Sequence, residues 1–552
     1  MVSIFDDAQR STATHKSCAR RLAGLLLGED EKISEQQKEE LLSFVLRGCL
    51  DRCLVHVKKE PTVERTLRFI SDFLSTAESS VFRMSMEHLL SRSLATDKTV
   101  RYRACQTIAN IISSMSGDAV IEDDLWANLI STLTPRLRDK APNVRMWAIK
   151  ALMRLQDGEN DEDEVISEYM RLMSSDVSAA VRVAAVDNIC VCKRTLKALL
   201  SRVRDIKSEV RIAAYERISK EVDIRHMSTS MRNMVLQFGL HDRDLCVKAA
   251  ARDLVLKWTA DLDNKVPKLL QLINLSQNEE TVELLGHFLM NEVENGAASQ
   301  SLKQVVNEMG PNWEAGASLL SASEIMWAQL RCEYAQKNFQ PTAAADMIES
   351  LIPDTVVLCR LLTEAHDTNK LADNGALQLN VRYLLRTTSF LDASDVSGGS
   401  ELVKICERLL LDLTLPESLV EPALDAWVRG RGRADHASNI ASIMSLCEQI
   451  QAAADEAERA SGAVASESDA ALSEFEILAK TRGLQLVAWT LHGTIGGSEA
   501  DSKISQDFVP FVMESLQSSS AEMRCIAVKC LGVLSLASEA SCDQHCGILY
   551  QV

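Results

Sequence analysis

TPRLRDKAPNVRMWAIKALMRLQD, residues 134–157, decides the fold, because it is one copy of a pattern that returns down the chain. Each copy has an Asp, a short spacer, and a Val-Arg pair or close variant opening a helix of small residues. The anchors are Asp97…Val100-Arg101, Asp139…Val144-Arg145, Asp176…Val181-Arg182, Asp205…Val210-Arg211 and Asp242…Val247-Lys248, with a late echo at Met523-Arg524. Successive Val residues lie 44, 37, 29 and 37 positions apart. That range is the repeat length of stacked helix pairs.

Each residue type in the pattern has a physical task. The Asp carboxylate accepts backbone N–H bonds in the turn and favours the N-terminus of the second helix. Pro142 sits at a helix start, where a missing donor does no harm. The Val faces inward, and the small residues behind it, Ala148 and Ala151, Ala184 and Ala185, or Ala213 and Ala214, let the next repeat approach closely. The Arg is placed to lie across the neighbouring turn and pair with the adjacent repeat's Asp. The expected fold is all-α: a curved α-solenoid of HEAT-like helix-pair repeats.

Composition agrees. A chain of 552 residues exceeds what one hydrophobic core supports, so it forms several domains or one quasi-one-dimensional array. Aromatic residues make up only 5%, Pro numbers 10 and Gly 22, and no alternating strand pattern is long enough to define a sheet. Three segments are expected: 1–40, with an amphipathic helix at Cys18–Leu27 and an acidic patch at Glu29–Glu31; 41–291, the main repeat array; and 292–552, divergent helical repeats. DGENDEDE at 157–164 reads as an exposed acidic loop. Gly296–Gln300, SDVSGGS at 394–400 and Ala452–Asp469 read as flexible polar loops.

The net charge of −18 argues against nucleic acid only on average. From Arg182 to Lys257 there are 16 Lys and Arg against 9 Asp and Glu, a local excess of +7. Its densest part holds Lys193, Arg194, Lys197, Arg202, Arg204, Lys207 and Arg211. On a solenoid these residues, with Arg136, Arg138 and Lys140 from earlier turns, are candidates for a phosphate-binding track. They read equally as a solvated helix face with internal salt bridges.

Other chemistry finds little support. There is no P-loop, GxSxG, HExxH or Gly-rich dinucleotide turn, so an enzyme is not expected and no cofactor is implied. Trp126, Trp147 and Trp258 fall at interior-looking helix positions. The 15 Cys are scattered; Cys105, Cys190, Cys246, Cys406 and Cys447 look core-like, as suits a reducing compartment. Cys542, His545 and Cys546, with Cys525 and Cys530, lack the paired couples of a structural zinc site. Leu22–Gly28 is too short to span a membrane and follows an acidic start, which points to an intracellular protein.

Taken in order, HLLSRSLATDKTVRYRACQTIANII (88–112), RLRDKAPNVRMWAIKALMRLQD (136–157), SSDVSAAVRVAAVDNI (174–189), RVRDIKSEVRIAAYERISKEVDIRHMS (202–228) and FGLHDRDLCVKAAARDLVLKW (238–258) resemble the condensin subunit 3 family, non-SMC HEAT-repeat subunits of condensin. KKEPTVERTLRFISDFL (58–74) resembles the family's upstream helices. The likeness is good over roughly 40–290 and weak over 291–552, and family members usually run longer. The resemblance implies a non-catalytic subunit of the complex that condenses mitotic chromosomes. It also implies direct binding to the kleisin subunit, with the SMC ATPase pair and a second HEAT subunit as holocomplex partners. Sequence-independent contact with double-stranded DNA would follow, in the nucleus, on chromosomes, and in the cytoplasm for part of the cell cycle, with no membrane role.

Two other classes remain open. A HEAT-repeat nuclear transport factor would carry an acidic concave face, and a phosphatase or vesicle-coat scaffold would lack the basic Arg182–Lys257 window.

Overall fold

The computed structural model describes residues 2–27, 35–77, 79–117, 121–295, 310–367, 371–391, 395–432, 436–461, 474–494, 508–537 and 539–549. Helices and short 3-10 turns make up the regular structure, and no strand occurs among the described residues. The chain divides into two units, Met1–Asp261 and Leu262–Val552.

In the first unit the repeats are helix pairs. The first helices are Ser79–Ser93, Asp123–Leu133, Glu164–Ser175, Lys193–Leu200 and Thr229–Leu240; their partners are Lys98–Ser114, Pro142–Leu152, Ala179–Asn188, Ser208–Glu221 and Leu245–Asp261. The second helices pack on one another in chain order. Val144, Val181, Val210 and Val247 are fully buried along that stack, together with Ala148, Ala151, Ala185 and Ala214. Small side chains let the helix axes approach, and each repeat completes the core of the next.

Asp97 departs from the expected register. Its carboxylate caps its own helix directly, accepting from the N–H groups of Thr99 (2.7 Å) and Val100 (3.2 Å). The other four Asp residues sit five positions before their Val and accept from the amide two residues on: Ala141 (2.9 Å), Ser178 (2.8 Å), Lys207 (3.0 Å) and Asp244 (2.8 Å). The residue equivalent to them in the first repeat is therefore Ala95, and Val100 is only half-buried.

A second set of contacts joins the far ends of the second helices. Arg154 donates to the carbonyls of Ile112, Met115, Ser116 and Gly117, and Arg217 donates to that of Ile189 at 2.8 Å. Lys257 likewise reaches Ser219 O. Each supplies a cation to the C-terminal carbonyls of the preceding repeat's helix, where orphan acceptors and the helix dipole favour it.

In the second unit the ladder gives way to other joints. Glu279 accepts from Arg382 at 3.1 Å, from Arg386, and from the Tyr383 hydroxyl at 3.4 Å, joining two helices 103 and more residues apart in sequence. Trp327 and Trp427 are buried. Arg524 keeps a trace of the motif: it donates to the carbonyls six and five residues back, Ser518 (2.8 Å) and Ser519 (2.9 Å).

Several sequence expectations need correction. SDVSGGS is not a loop over its described part, because Val396–Leu411 is one helix with Asp395 capping it through the Gly398 N–H at 2.9 Å. Its glycines serve close packing. A Cβ on Gly399 would stand 2.6 Å from the Gly430 carbonyl oxygen. Ala452–Ser461 continues the helix His436–Ser461, as its Ala- and Glu-rich text favours; the rest of Ala452–Asp469, like Gly296–Gln300 and Glu29–Glu31, lies outside the described residues. Trp126 is exposed, Trp147 half-buried with Lys150 Nζ 4.6 Å from its ring centroid, and Trp258 buried. Cys105 and Cys406 are buried, Cys190 and Cys447 partly so, and Cys246 is exposed.

Candidate nucleic-acid interface

The basic candidates are displayed on a frame set by the Asp and Arg residues of the motif. Each motif Arg reaches forward to the next repeat's Asp with two parallel hydrogen bonds. These are Arg101 to Asp139 (2.8 and 3.1 Å), Arg145 to Asp176 (2.7 and 2.8 Å), Arg182 to Asp205 (2.9 and 2.7 Å) and Arg211 to Asp242 (2.7 and 2.9 Å). The third guanidinium nitrogen, Nη1, donates back to carbonyls of its own turn: Ala95 (3.0 Å), Asp139 (2.8 Å), Asp176 (2.8 Å) and Asp205 (2.9 Å). The planar fork makes this possible, and Lys248 cannot repeat it. Burial alone would raise the carboxyl of Asp205. The bonds from Arg182 and the Lys207 amide outweigh that and hold it below the usual carboxylate range, and Arg101 and the Ala141 amide do the same for Asp139.

The nine candidate cations fall into two groups on this frame. Lys140, Lys193, Lys197, Arg204 and Lys207 are exposed. Lys193 and Lys197 are four residues apart on the helix Lys193–Leu200 and so share a face. Arg204 ends the 3-10 turn Ser201–Arg204, with its guanidinium carbon 4.6 Å from the centroid of the half-exposed Phe238 ring. Lys140 and Lys207 project from the turns beside the ladder Asp residues.

The other four are engaged by neighbouring groups, three of them half-buried and Arg138 still 68% exposed at its side chain. Arg194 donates to Ser167 Oγ (2.8 Å) and Asp163 O (3.4 Å) at the start of the preceding repeat's helix. Arg202 donates to Met173 O (3.1 Å) and Ser174 O (3.4 Å) and lies 3.5 Å from Asp205; burial lowers its pKa. Arg136 lies 3.4 Å from Asp139. Arg138 pairs with Glu168, which Arg171 also holds at 2.8 Å.

The exposed candidates are spread rather than clustered. Lys193 opens an eight-residue helix beside the acidic turn at 157–163, whose Gly158 packs on Cys190, while Arg204 and Lys207 lie past its other end. At 1.5 Å per residue the helix alone separates them by about 12 Å, too far to share one bound anion and suited to separate phosphates along a duplex. Arg243, exposed on the rim of the groove that Arg204 and Phe238 line, escaped the sequence reading. The signal was available: it stands one residue after a ladder Asp, as Lys140 does. At the two turns between them that position holds Val177 and Ile206, 97% and 92% exposed.

Comparison with known proteins follows the same region. A family model described as sister chromatid cohesion protein PDS5 matches residues 74–221, and a HEAT-repeat model matches 508–537. Condensin complex subunit 3 from Homo sapiens is 28% identical over 392 residues, covering 66% of this chain. The Schizosaccharomyces pombe protein of the same name is 28% identical over 428 residues, covering 76%. This chain resembles condensin complex subunit 3. It spans 38% of the length of the human condensin protein and 46% of the fission yeast one. A crystal structure of the S. pombe condensin Cnd3-Cnd2 subcomplex superposes with a TM-score of 0.76 at 23% identity, covering 98% of this chain and 65% of that one, and so shares the α-solenoid fold.

Proposed function

We propose that this chain is a non-catalytic HEAT-repeat subunit of condensin, which binds the kleisin subunit and, with it, double-stranded DNA, in support of mitotic chromosome condensation. ATP hydrolysis on this reading belongs to the SMC partners, with a second HEAT subunit completing the complex on nuclear chromosomes and in the cytoplasm for part of the cell cycle. The observation that carries it is the separation of cations. The ladder consumes Arg101, Arg145, Arg182 and Arg211 in fixed pairs with Asp residues, while Lys140, Lys193, Lys197, Arg204 and Lys207 stay exposed. Exposed cations at intervals, with no base-reading motif, suit phosphate contact independent of sequence.

The test is duplex binding by fluorescence anisotropy over a salt series, on the single chain and on its complex with a kleisin fragment selected by pull-down. Binding should weaken steeply with salt and strengthen when the kleisin fragment is present. Reversing the charge of all five exposed residues should abolish most of the affinity for unrelated sequences alike. Unchanged affinity and salt slope in that variant of the complex would place the DNA contact elsewhere.

A further inference from the structure

Charge is divided unevenly between the two units. Residues 1–261 hold 40 Lys and Arg against 38 Asp and Glu, a net +2, while residues 262–552 hold 20 against 40, a net −20. Within the acidic unit a groove of about 540 Å³ runs between the helices Thr355–Asp367 and Val396–Leu411. Its floor is Cys359, Gly398 and Ile405, all buried. Gly398 allows the two helices to meet, since a Cβ there would stand 2.7 Å from Thr355 Cγ2.

Four carboxylates line the groove, Glu364 and Asp367 on one helix, Glu401 on the other and Asp395 at its cap, against one lining cation, Arg360. The nearby cations are largely committed. Arg360 donates to Trp313 O at 3.0 Å, Arg408 to Thr363 Oγ1 at 3.4 Å, and Lys404 lies 3.5 Å from Glu401. His366 lies 3.7 Å from Asp367, and Glu364 has no cation within ion-pair distance among the described residues. The carboxylates are felt at the floor: the Cys359 thiol is pushed up to about 11, chiefly by burial and then by Glu401 and Asp395. Val356, 74% exposed, also lines the groove.

We propose that this groove docks a short segment of a partner protein in which aliphatic residues alternate with lysines or arginines. Aliphatic side chains fill the floor and cover Val356, while the flanking cations meet Glu364, Asp367 and Glu401. The same acidic rim repels a phosphate backbone, so this surface acts independently of the basic turns of the first unit.

The full chain is titrated with a fluorescein-labelled dodecapeptide of alternating lysine and leucine, and with a lysine and glycine peptide of equal charge. The leucine peptide should bind more tightly. The pair Glu364→Lys and Glu401→Lys should weaken it by about tenfold and flatten its salt dependence, whereas Glu349→Lys with Glu421→Lys, an equal charge change at other exposed positions, should not. Val356→Ser should weaken the leucine peptide and leave the glycine peptide unaffected. All five sites are exposed or on the rim, so melting temperatures should match the parent chain and confirm folded variants. Equal binding of the two peptides, or equal loss in the two charge-reversal variants, would overturn the proposal.

Discussion

Arg182 and Asp205 face each other across consecutive repeats with both partners largely buried, Nε to Oδ2 at 2.9 Å and Nη2 to Oδ1 at 2.7 Å. Removing one partner leaves an uncompensated charge in a low-dielectric site. Asp205→Ala should therefore cost about 3–5 kcal/mol in urea unfolding, and Arg182→Lys most of that, because an ammonium cannot donate the parallel pair. A double-mutant cycle on the two sites should return a clear coupling energy, and additive losses would show that the rung contributes nothing beyond its parts.

Val144 is fully buried between adjacent repeats. Val144→Asp should lower stability by roughly 3–5 kcal/mol, read as an earlier thermal transition, since it places a charge at a fully buried position. A parental melting temperature would mean that the repeat register is wrong.

The division of cations makes a finer prediction about DNA. Neutralising Lys140, Lys193, Lys197, Arg204 or Lys207 singly should reduce the magnitude of the log K against log salt slope by about 0.9 each. Neutralising Arg136, Arg194 or Arg202, whose donors are used inside the fold, should leave that slope unchanged and lower the melting temperature instead. The reverse pattern would show that the inward-facing arginines rearrange onto DNA.

Acid should act through the rungs. Asp139 and Asp205 titrate below the ordinary carboxylate range in the folded chain. A depressed pKa contributes stability that is complete above the unfolded value of about 3.9 and is lost as pH falls through the folded value. Melting temperature should thus decline below about pH 4 on account of these groups, and Asp139→Asn with Asp205→Asn should start lower and decline less steeply. Parallel curves for variant and parent would rule the two carboxylates out as the cause.

Much of the first unit was legible because a five-residue step from Asp to Val imposes one turn geometry, and that geometry repeats. Asp97 misled because its step is three residues, which makes a helix cap rather than a rung. SDVSGGS misled for a different reason: glycine marks a bend in one setting and a close helix contact in another, and only the position of Gly430 distinguishes them. Of the candidate interface, residue type was legible and availability was not. Arg138 is spoken for by Glu168, 30 residues away, and no local spacing announces such a partner. Arg154, Arg217 and Lys257 were missed likewise, since a side chain that caps a neighbouring helix leaves no periodic trace.

Asp139 takes part in two rungs at once, its carboxylate holding Arg101 and its carbonyl holding Arg145, and Asp176 and Asp205 do the same for the rungs that follow. From Arg101 to Asp242 the turn edge is thus a single tether with no slack. Lys140 and Lys207, seated on that edge, are thereby held at set intervals, and Arg194 ties the far end of the Lys193 helix back to the preceding repeat, so a long, regularly charged ligand would meet cations whose spacing the fold itself sets.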